Sequence, residues 1–139
     1  MSFTEEEVAF LRSQPLARVA TVGGRGQPDV VPLAFELDGG CFWVGGVGAA
    51  VLNTRKFRNI RAGNTKVALV VDELVSLQPF VARSIRVYGE AGRPIERVGM
   101  VGPGTYVRIM PTLSWSWNMA GEPVGDTWYE PRKATHNVR

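Results

Sequence analysis

Leu16-Ala17-Arg18-Val19-Ala20-Thr21-Val22, then Gly23-Gly24-Arg25-Gly26-Gln27-Pro28, then Asp29-Val30-Val31-Pro32-Leu33-Ala34-Phe35-Glu36-Leu37 is the stretch whose reading decides the fold. Leu16 to Val22 alternates well enough for a half-buried strand. The Gly- and Pro-containing residues after it form a turn. Asp29 to Leu37 reads as the next strand, with Val31, Leu33 and Phe35 on one face. Asp38-Gly39-Gly40 is a tight hairpin signal, and Cys41 to Gly45 follows as a third strand. Consecutive strands joined by short turns make an antiparallel meander, and the absence of β-α-β alternation excludes a Rossmann sheet.

The flanking sequence extends this pattern. Thr4-Glu5-Glu6-Glu7 opens a short helix with Thr4 as cap and Glu7 at the capping-box position. Val8, Phe10 and Leu11 give that helix an apolar side, and Pro15 ends it. Lys66 to Val71 is a strongly apolar strand, Val81 to Ala91 alternates again, and Tyr106 to Met110 and Leu113 to Trp117 are the last strands. Gly99, Gly102, Pro103 and Gly104 mark a flexible loop. From about Gly121 the chain reads as a loosely packed tail that Trp128 and Tyr129 anchor. Turn signals at these short intervals point to a barrel or sandwich. The expectation is one domain, residues 1–120, with 121–139 as a tail belonging to it.

Composition agrees with a single packed domain. The 139 residues are 45% hydrophobic and 21% charged, which argues against disorder. A net charge of +3 suits an anionic small ligand as well as nucleic acid. The cations are compact rather than spread as a stripe, so no nucleic-acid partner is expected. Cys41 is the one cysteine, beside Phe42, Trp43 and Val44, and reads as a small buried hydrophobe. One histidine, His136 in the polar tail, leaves a zinc site without ligands. The acidic start lacks the marks of a signal peptide, and no apolar run approaches a membrane span. A cytoplasmic protein with no membrane partner is expected.

Thr54-Arg55-Lys56-Phe57-Arg58-Asn59-Ile60-Arg61 carries four cations and no acid. Phe57 and Ile60 are three apart and face inward on a helix while the cations face out. Thr54 stands at the N-cap position and Gly63-Asn64 at the C-terminal stop. Arg55 and Lys56 beside the unpaired N–H groups of a helix start make a seat for a phosphate. The alternative is a solvated basic face. Gly45-Gly46-Val47-Gly48 just before it allows a ligand close to the backbone, although the Gly-Lys-Ser/Thr ending of a nucleotide-hydrolysing loop is missing.

Nucleophilic and acid–base motifs are absent, and no side chain is singled out as catalytic. Asp72-Glu73 reads as a strand-end turn. An enzyme without such groups fits the class in which a cofactor does the chemistry and the protein supplies binding and geometry.

Several stretches together resemble one superfamily. Leu16 to Val22, Gly24-Arg25-Gly26-Gln27-Pro28 and Val31-Pro32-Leu33 are similar to the first hairpin of the split β-barrel flavin and deazaflavin proteins, the superfamily of the pyridoxamine 5′-phosphate oxidases. Thr54 to Ile60 followed by Val67-Ala68-Leu69-Val70 resembles its phosphate-binding helix and next strand. Arg86-Val87-Tyr88-Gly89-Glu90-Ala91 resembles its long central strand. Pro111-Thr112-Leu113-Ser114-Trp115-Ser116-Trp117 resembles its C-terminal strand.

The resemblance implies a mainly β (α+β) fold: a six- or seven-stranded antiparallel split β-barrel with two to three short helices. Within the superfamily the chain looks like the branch that uses coenzyme F-420, in the subgroup with tetracycline-pathway reductases. It departs from true pyridoxamine phosphate oxidases, since Asn118-Met119-Ala120-Gly121 replaces their Arg-Leu-His-Asp-Arg ending. The implied activity is an oxidoreductase passing a hydride from reduced coenzyme F-420 to an activated double bond of a small-molecule substrate. An FMN-dependent enzyme, or a non-catalytic flavin- or haem-binding module, is the alternative. The implied cofactor contacts are Thr54, Arg55, Lys56 and Asn59 for phosphate, Val31, Pro32 and Leu33 along the ring, Gly45 and Gly46 near it, and Trp117. The resemblance also implies a homodimer with cofactor sites at the subunit interface, Trp117 reaching the partner's site. Trp115 and Trp117 as plain core or interface packing is the competing reading.

Overall fold

A computed structural model describes residues 3–47, 51 and 54–137. Along the chain these form α1 (Glu5–Ser13), β1 (Leu16–Val22), β2 (Pro28–Ala34), β3 (Glu36–Asp38), β4 (Cys41–Gly46), α2 (Arg55–Arg61), β5 (Lys66–Leu77), β6 (Phe80–Ala91), β7 (Ile95–Gly99), β8 (Gly102–Trp117) and β9 (Pro131–Thr135). One antiparallel sheet runs β2-β1-β5-β6-β8-β4-β3, and β7 and β9 also pair with β8. The sheet ends on β2 and β3 rather than closing on itself, which is a split barrel.

Alternation puts one face of the sheet inside. Val19 of β1, Leu69 and Val71 of β5, Ile85 and Val87 of β6, Val107 and Ile109 of β8 and Phe42 and Val44 of β4 are all buried. Phe10 and Leu11 of α1 and Phe57 and Ile60 of α2 complete this core. Each such side chain contributes about 1.5–3 kcal/mol relative to exposure. The capping box of α1 is present: Glu7 N–H donates to Thr4 Oγ1 at 3.1 Å and Thr4 N–H to Glu7 Oε1 at 2.9 Å. Cys41 is buried as expected, and burial raises its thiol pKa.

Nine strands are described where six or seven were expected. The expected strand Asp29–Leu37 divides at Phe35, which is buried with its ring 5.9 Å from that of Phe42. The supposed loop at Gly99–Gly104 is the hairpin of β7 and β8, with Gly99 opposite Gly102. Close packing explains its glycines: a Cβ on Gly104 would lie 2.2 Å from Gly46 O. The two strands expected on either side of Pro111 are one, because the β6–β8 register shifts there and the proline sits at the irregularity. Asp72-Glu73 is not a strand end but the middle of β5, where Asp72 pairs with Arg18 and Glu73 with Arg83.

The C-terminal segment is not a loose tail either. Asn118 adopts φ 61, which its short polar side chain tolerates. Its amide donates to Ala82 O and Glu122 O and accepts from Glu122 N–H, all within 2.9 Å. The chain turns there and returns as β9 alongside β8, Trp115 opposite Lys133. His136, expected in a mobile tail, is buried.

Candidate cofactor site

The basic segment folds as read. Phe57 is 0% and Ile60 5% exposed, while Arg55, Arg58 and Arg61 face solvent. The helix stops in a Schellman arrangement: Gly63 N–H donates to Ile60 O at 3.0 Å and Asn64 N–H to Asn59 O at 3.1 Å. Gly63 takes φ 103, a conformation that favours glycine. Thr54 occupies the N-cap position, but its hydroxyl makes no cap bond and donates instead to Val51 O at 2.8 Å.

Two of the expected phosphate contacts differ in character. Lys56 is half-buried, its Nζ 5.3 Å from the Phe57 ring centroid. Burial lowers its pKa, and the Asp29 carboxylate on β2 opposes that shift. A partly desolvated ammonium is a group that an incoming anion stabilises. Asn59 is 6% exposed and turned inward, its amide donating to Thr21 Oγ1 at 2.9 Å. That bond fastens α2 to β1.

Val31 and Leu33 stand opposite Val19 and Ala17, so they share the inner face and are half-buried. Pro32 stands opposite Arg18 on the outer face and is exposed. β2 ends the sheet path, so among the described residues one row of its backbone N–H and C=O groups has no strand partner. An edge strand of that kind, with the Lys56 ammonium near its Asp29, fits a planar heterocycle that carries hydrogen-bonding groups on one side and a phosphate on its tail.

Gly45 and Gly46 lie opposite Tyr106 and Thr105 of β8. A Cβ on Gly45 would lie 2.2 Å from Thr105 O, so the space its missing side chain leaves is taken by β8. Around Gly46 a Cβ would make ordinary contacts at 3.8 Å with Val51 and 3.9 Å with Val101. Gly48 lies outside the described residues.

Trp117 is on the other face of the sheet. Cross-strand rows on that outer face read Pro32–Arg18–Val70–Arg86–Trp115–Lys133 and Asp72–Ser84–Trp117–Pro131. Within one chain, Trp117 and the inward-facing Val31 and Leu33 therefore lie on opposite faces. Leu113, Trp115 and Trp117 share one half-exposed outer face and are not core. Sequence reading passed over Arg86 there. Its guanidinium lies 4.1 Å from the Trp115 ring and 5.5 Å from those of Trp117 and Tyr88. The signal was available, since an arginine two residues before Tyr88 shares that tyrosine's strand face. A groove of about 820 Å³ opens at the C-terminal end of α2, bounded by Arg61, Gly63, Thr65, Gly92 and Arg93. Among the described residues no group of three or more His, Cys, Asp or Glu could hold a metal. No described helix is long and apolar enough to cross a membrane.

An antiparallel split barrel, capped by a basic helix beside an open strand edge, places this molecule among the split-barrel proteins. The chain belongs to the pyridoxamine 5′-phosphate oxidase family, whose model matches residues 3–98. It is 41% identical over 91 residues to a 5a,11a-dehydrotetracycline/5a,11a-dehydrooxytetracycline reductase of Streptomyces rimosus. That alignment takes in 66% of this chain and 63% of the relative's length. Among solved structures, a conserved hypothetical protein, Rv2991, of Mycobacterium tuberculosis superposes with TM-score 0.67 at 20% identity, over 90% of this chain and 92% of that one. An F420 reductase superposes with TM-score 0.57 at 20% identity, over 73% and 90%. The haem storage protein HutZ of Vibrio cholerae does so with TM-score 0.57 at 16% identity, over 80% and 91%. At these identities the structural likenesses establish the fold.

Proposed function

We propose that this protein is an oxidoreductase that works with a deazaflavin of the coenzyme F-420 type, FMN being the alternative, and reduces an activated double bond of a small molecule. The observation that carries the reading is the Arg55–Lys56 pair at the start of α2, with Lys56 near Asp29 of β2, the strand that ends the sheet path. The similarity to a reductase of a polycyclic tetracycline supports the reaction class.

Arg55 and the half-desolvated Lys56 would hold the cofactor phosphate, and the β2 backbone at Val31, Pro32 and Leu33 would lie along its ring. Thr54, with its hydroxyl committed to Val51 O, has its backbone N–H engaged there as well. It therefore shapes the helix entrance, and Asn59 supports the helix from beneath. When bound, the cofactor supplies the hydride; the chain supplies position and exclusion of water. Arg61 on the 820 Å³ groove stands where a longer anionic tail would gain charge contacts.

We also propose a homodimer. Trp115, Trp117 and Leu113 form an outer apolar face with Arg86 stacked into it, and a two-fold mate covering that face would bring Trp117 to the partner's cofactor. Haem binding is disfavoured at His136, whose ring is buried against Phe3 and lies 2.8 Å from the Ser114 hydroxyl. The test is titration of the purified protein with F-420 and with FMN, followed by hydride-transfer assays on cyclic enones. Binding of neither cofactor, or binding without any turnover across that substrate class, would overturn the reading.

A further inference from the structure

Along the end of β8 the side chains alternate strictly: Ser114 and Ser116 point inward and are buried, and Trp115 and Trp117 point outward. Both serines are held by the two ends of the chain. Ser114 Oγ lies 2.8 Å from His136 Nε2, just past β9. Ser116 Oγ makes a short bond to Glu7 of α1. Glu7, 1% exposed, also accepts from Thr4 N–H and from Arg132 Nη1 of β9, each at 2.9 Å. His136, 6% exposed, donates its backbone N–H to Thr112 O at 3.0 Å, and its ring centroid is 4.4 Å from that of Phe3. β9 also flanks the tryptophans, with Lys133 Nζ 5.8 Å from the Trp115 ring and Pro131 opposite Trp117.

We infer that Glu7 and His136 are positioning residues: the clasp they close on Ser114 and Ser116 sets the strand that presents Trp115 and Trp117, and protonation of His136 opens it. The consequence for the cofactor rests on the reading that Trp117 completes the partner's site; the clasp itself does not. A neutral imidazole fits its surroundings, and an imidazolium would be a charge placed in the interior. Burial accordingly holds the His136 pKa below its ordinary value of 6.5. Glu7 on α1 opposes that shift, while Arg132 on β9 adds to it. On β8 the facing groups are uncharged, Ser114 and the Thr112 carbonyl. Because the folded pKa is depressed, the clasp is fully closed above about pH 6.5 and loosens as pH falls below it, through the folded value.

The experiment uses the full chain without cofactor, labelled with 5-fluorotryptophan, with amide exchange measured in parallel and corrected for intrinsic rates. From pH 7.5 to 5.5 the wild type should lose protection at residues 113–117 and 132–136, by about tenfold for each pK unit separating folded and open states. The Trp115 and Trp117 resonances should move over the same range, while that of Trp43 stays fixed, since it is stacked on Arg97 at 3.9 Å and stands opposite Arg108, towards the other end of β8. His136→Asn keeps a donor and an acceptor but does not titrate, so its profile should be flat. His136→Phe should show the low-pH signature at every pH. If that variant does not fold, the comparison of wild type with His136→Asn decides. Glu7→Gln should displace the Trp117 resonance at every pH. Protection independent of pH in the wild type, an equal slope in His136→Asn, or an unmoved Trp117 resonance in Glu7→Gln would overturn the inference. Failure of F-420 and FMN to bind at either pH would count against the cofactor reading alone and leave the exchange result standing.

Discussion

Replacing Asn59 separates a structural role from a ligand role, because the two predict opposite pairs of measurements. The Asn59 amide is buried and donates to Thr21 Oγ1 at 2.9 Å, and Thr21 is itself 1% exposed. Asn59→Ala removes the donor and strands a buried hydroxyl that water cannot reach. Losing such a bond costs about 1–3 kcal/mol, more than its net worth, because of the unsatisfied partner. For a chain of this size that is a fall in Tm of roughly 3–10 °C. Thr21→Val should cost a similar amount for the mirror-image reason. The pair Asn59→Ala with Thr21→Val removes both polar groups and should recover much of the loss, giving a coupling energy of about 0.5–3 kcal/mol. The assay is urea unfolding of the four proteins, with cofactor titration of each. An unchanged urea midpoint for Asn59→Ala, together with a cofactor affinity reduced more than about tenfold, would refute this reasoning and make Asn59 a ligand.

Three further outcomes are expected. Lys56→Ala should weaken F-420 or FMN binding by about 1.5–3 kcal/mol, the worth of a charge-assisted contact, or roughly 10- to 150-fold; fluorescence titration showing unchanged affinity would remove the phosphate seat. Gly104→Ala should destabilise the protein by upwards of about 3 kcal/mol, the top of the overpacking range, since its Cβ would meet Gly46 O at 2.2 Å. Gly24→Ala, with nothing within 4 Å, should stay within about 0.5 kcal/mol by the same urea assay. Light scattering should find a dimer, with an interface of more than about 2,000 Å², and mixing Lys56→Ala with Trp117→Ala chains should restore one intact site per mixed dimer. A monodisperse monomer that binds cofactor normally at micromolar concentration would refute both the dimer and the shared site.

The first hairpin, the capping box of α1 and the amphipathic α2 were legible because each is written in local terms: period-two alternation, a Thr-x-x-Glu spacing, and apolar residues three apart. Leu16–Val22 became β1 with its expected bounds, and Phe57 and Ile60 face inward. Where the outcome depended on a distant partner, local reading failed. Gly99 to Gly104 looks like a loop until β7 and β8 cross so closely to Tyr106 and Gly46 that side chains are excluded. Pro111 looks like a strand break until the register shift against β6 accommodates it. The same holds at the candidate site. The sequence by itself determined that Arg55 and Lys56 would stand together at a helix start, because adjacency and helical period suffice. Only the tertiary structure decided that Asn59 turns inward to Thr21, that Trp117 lies on the face opposite Val31, and that His136 is buried between Phe3 and Ser114. Each of these is a choice between two faces or between solvent and interior, and a side chain's own chemistry leaves that choice to whatever packs against it.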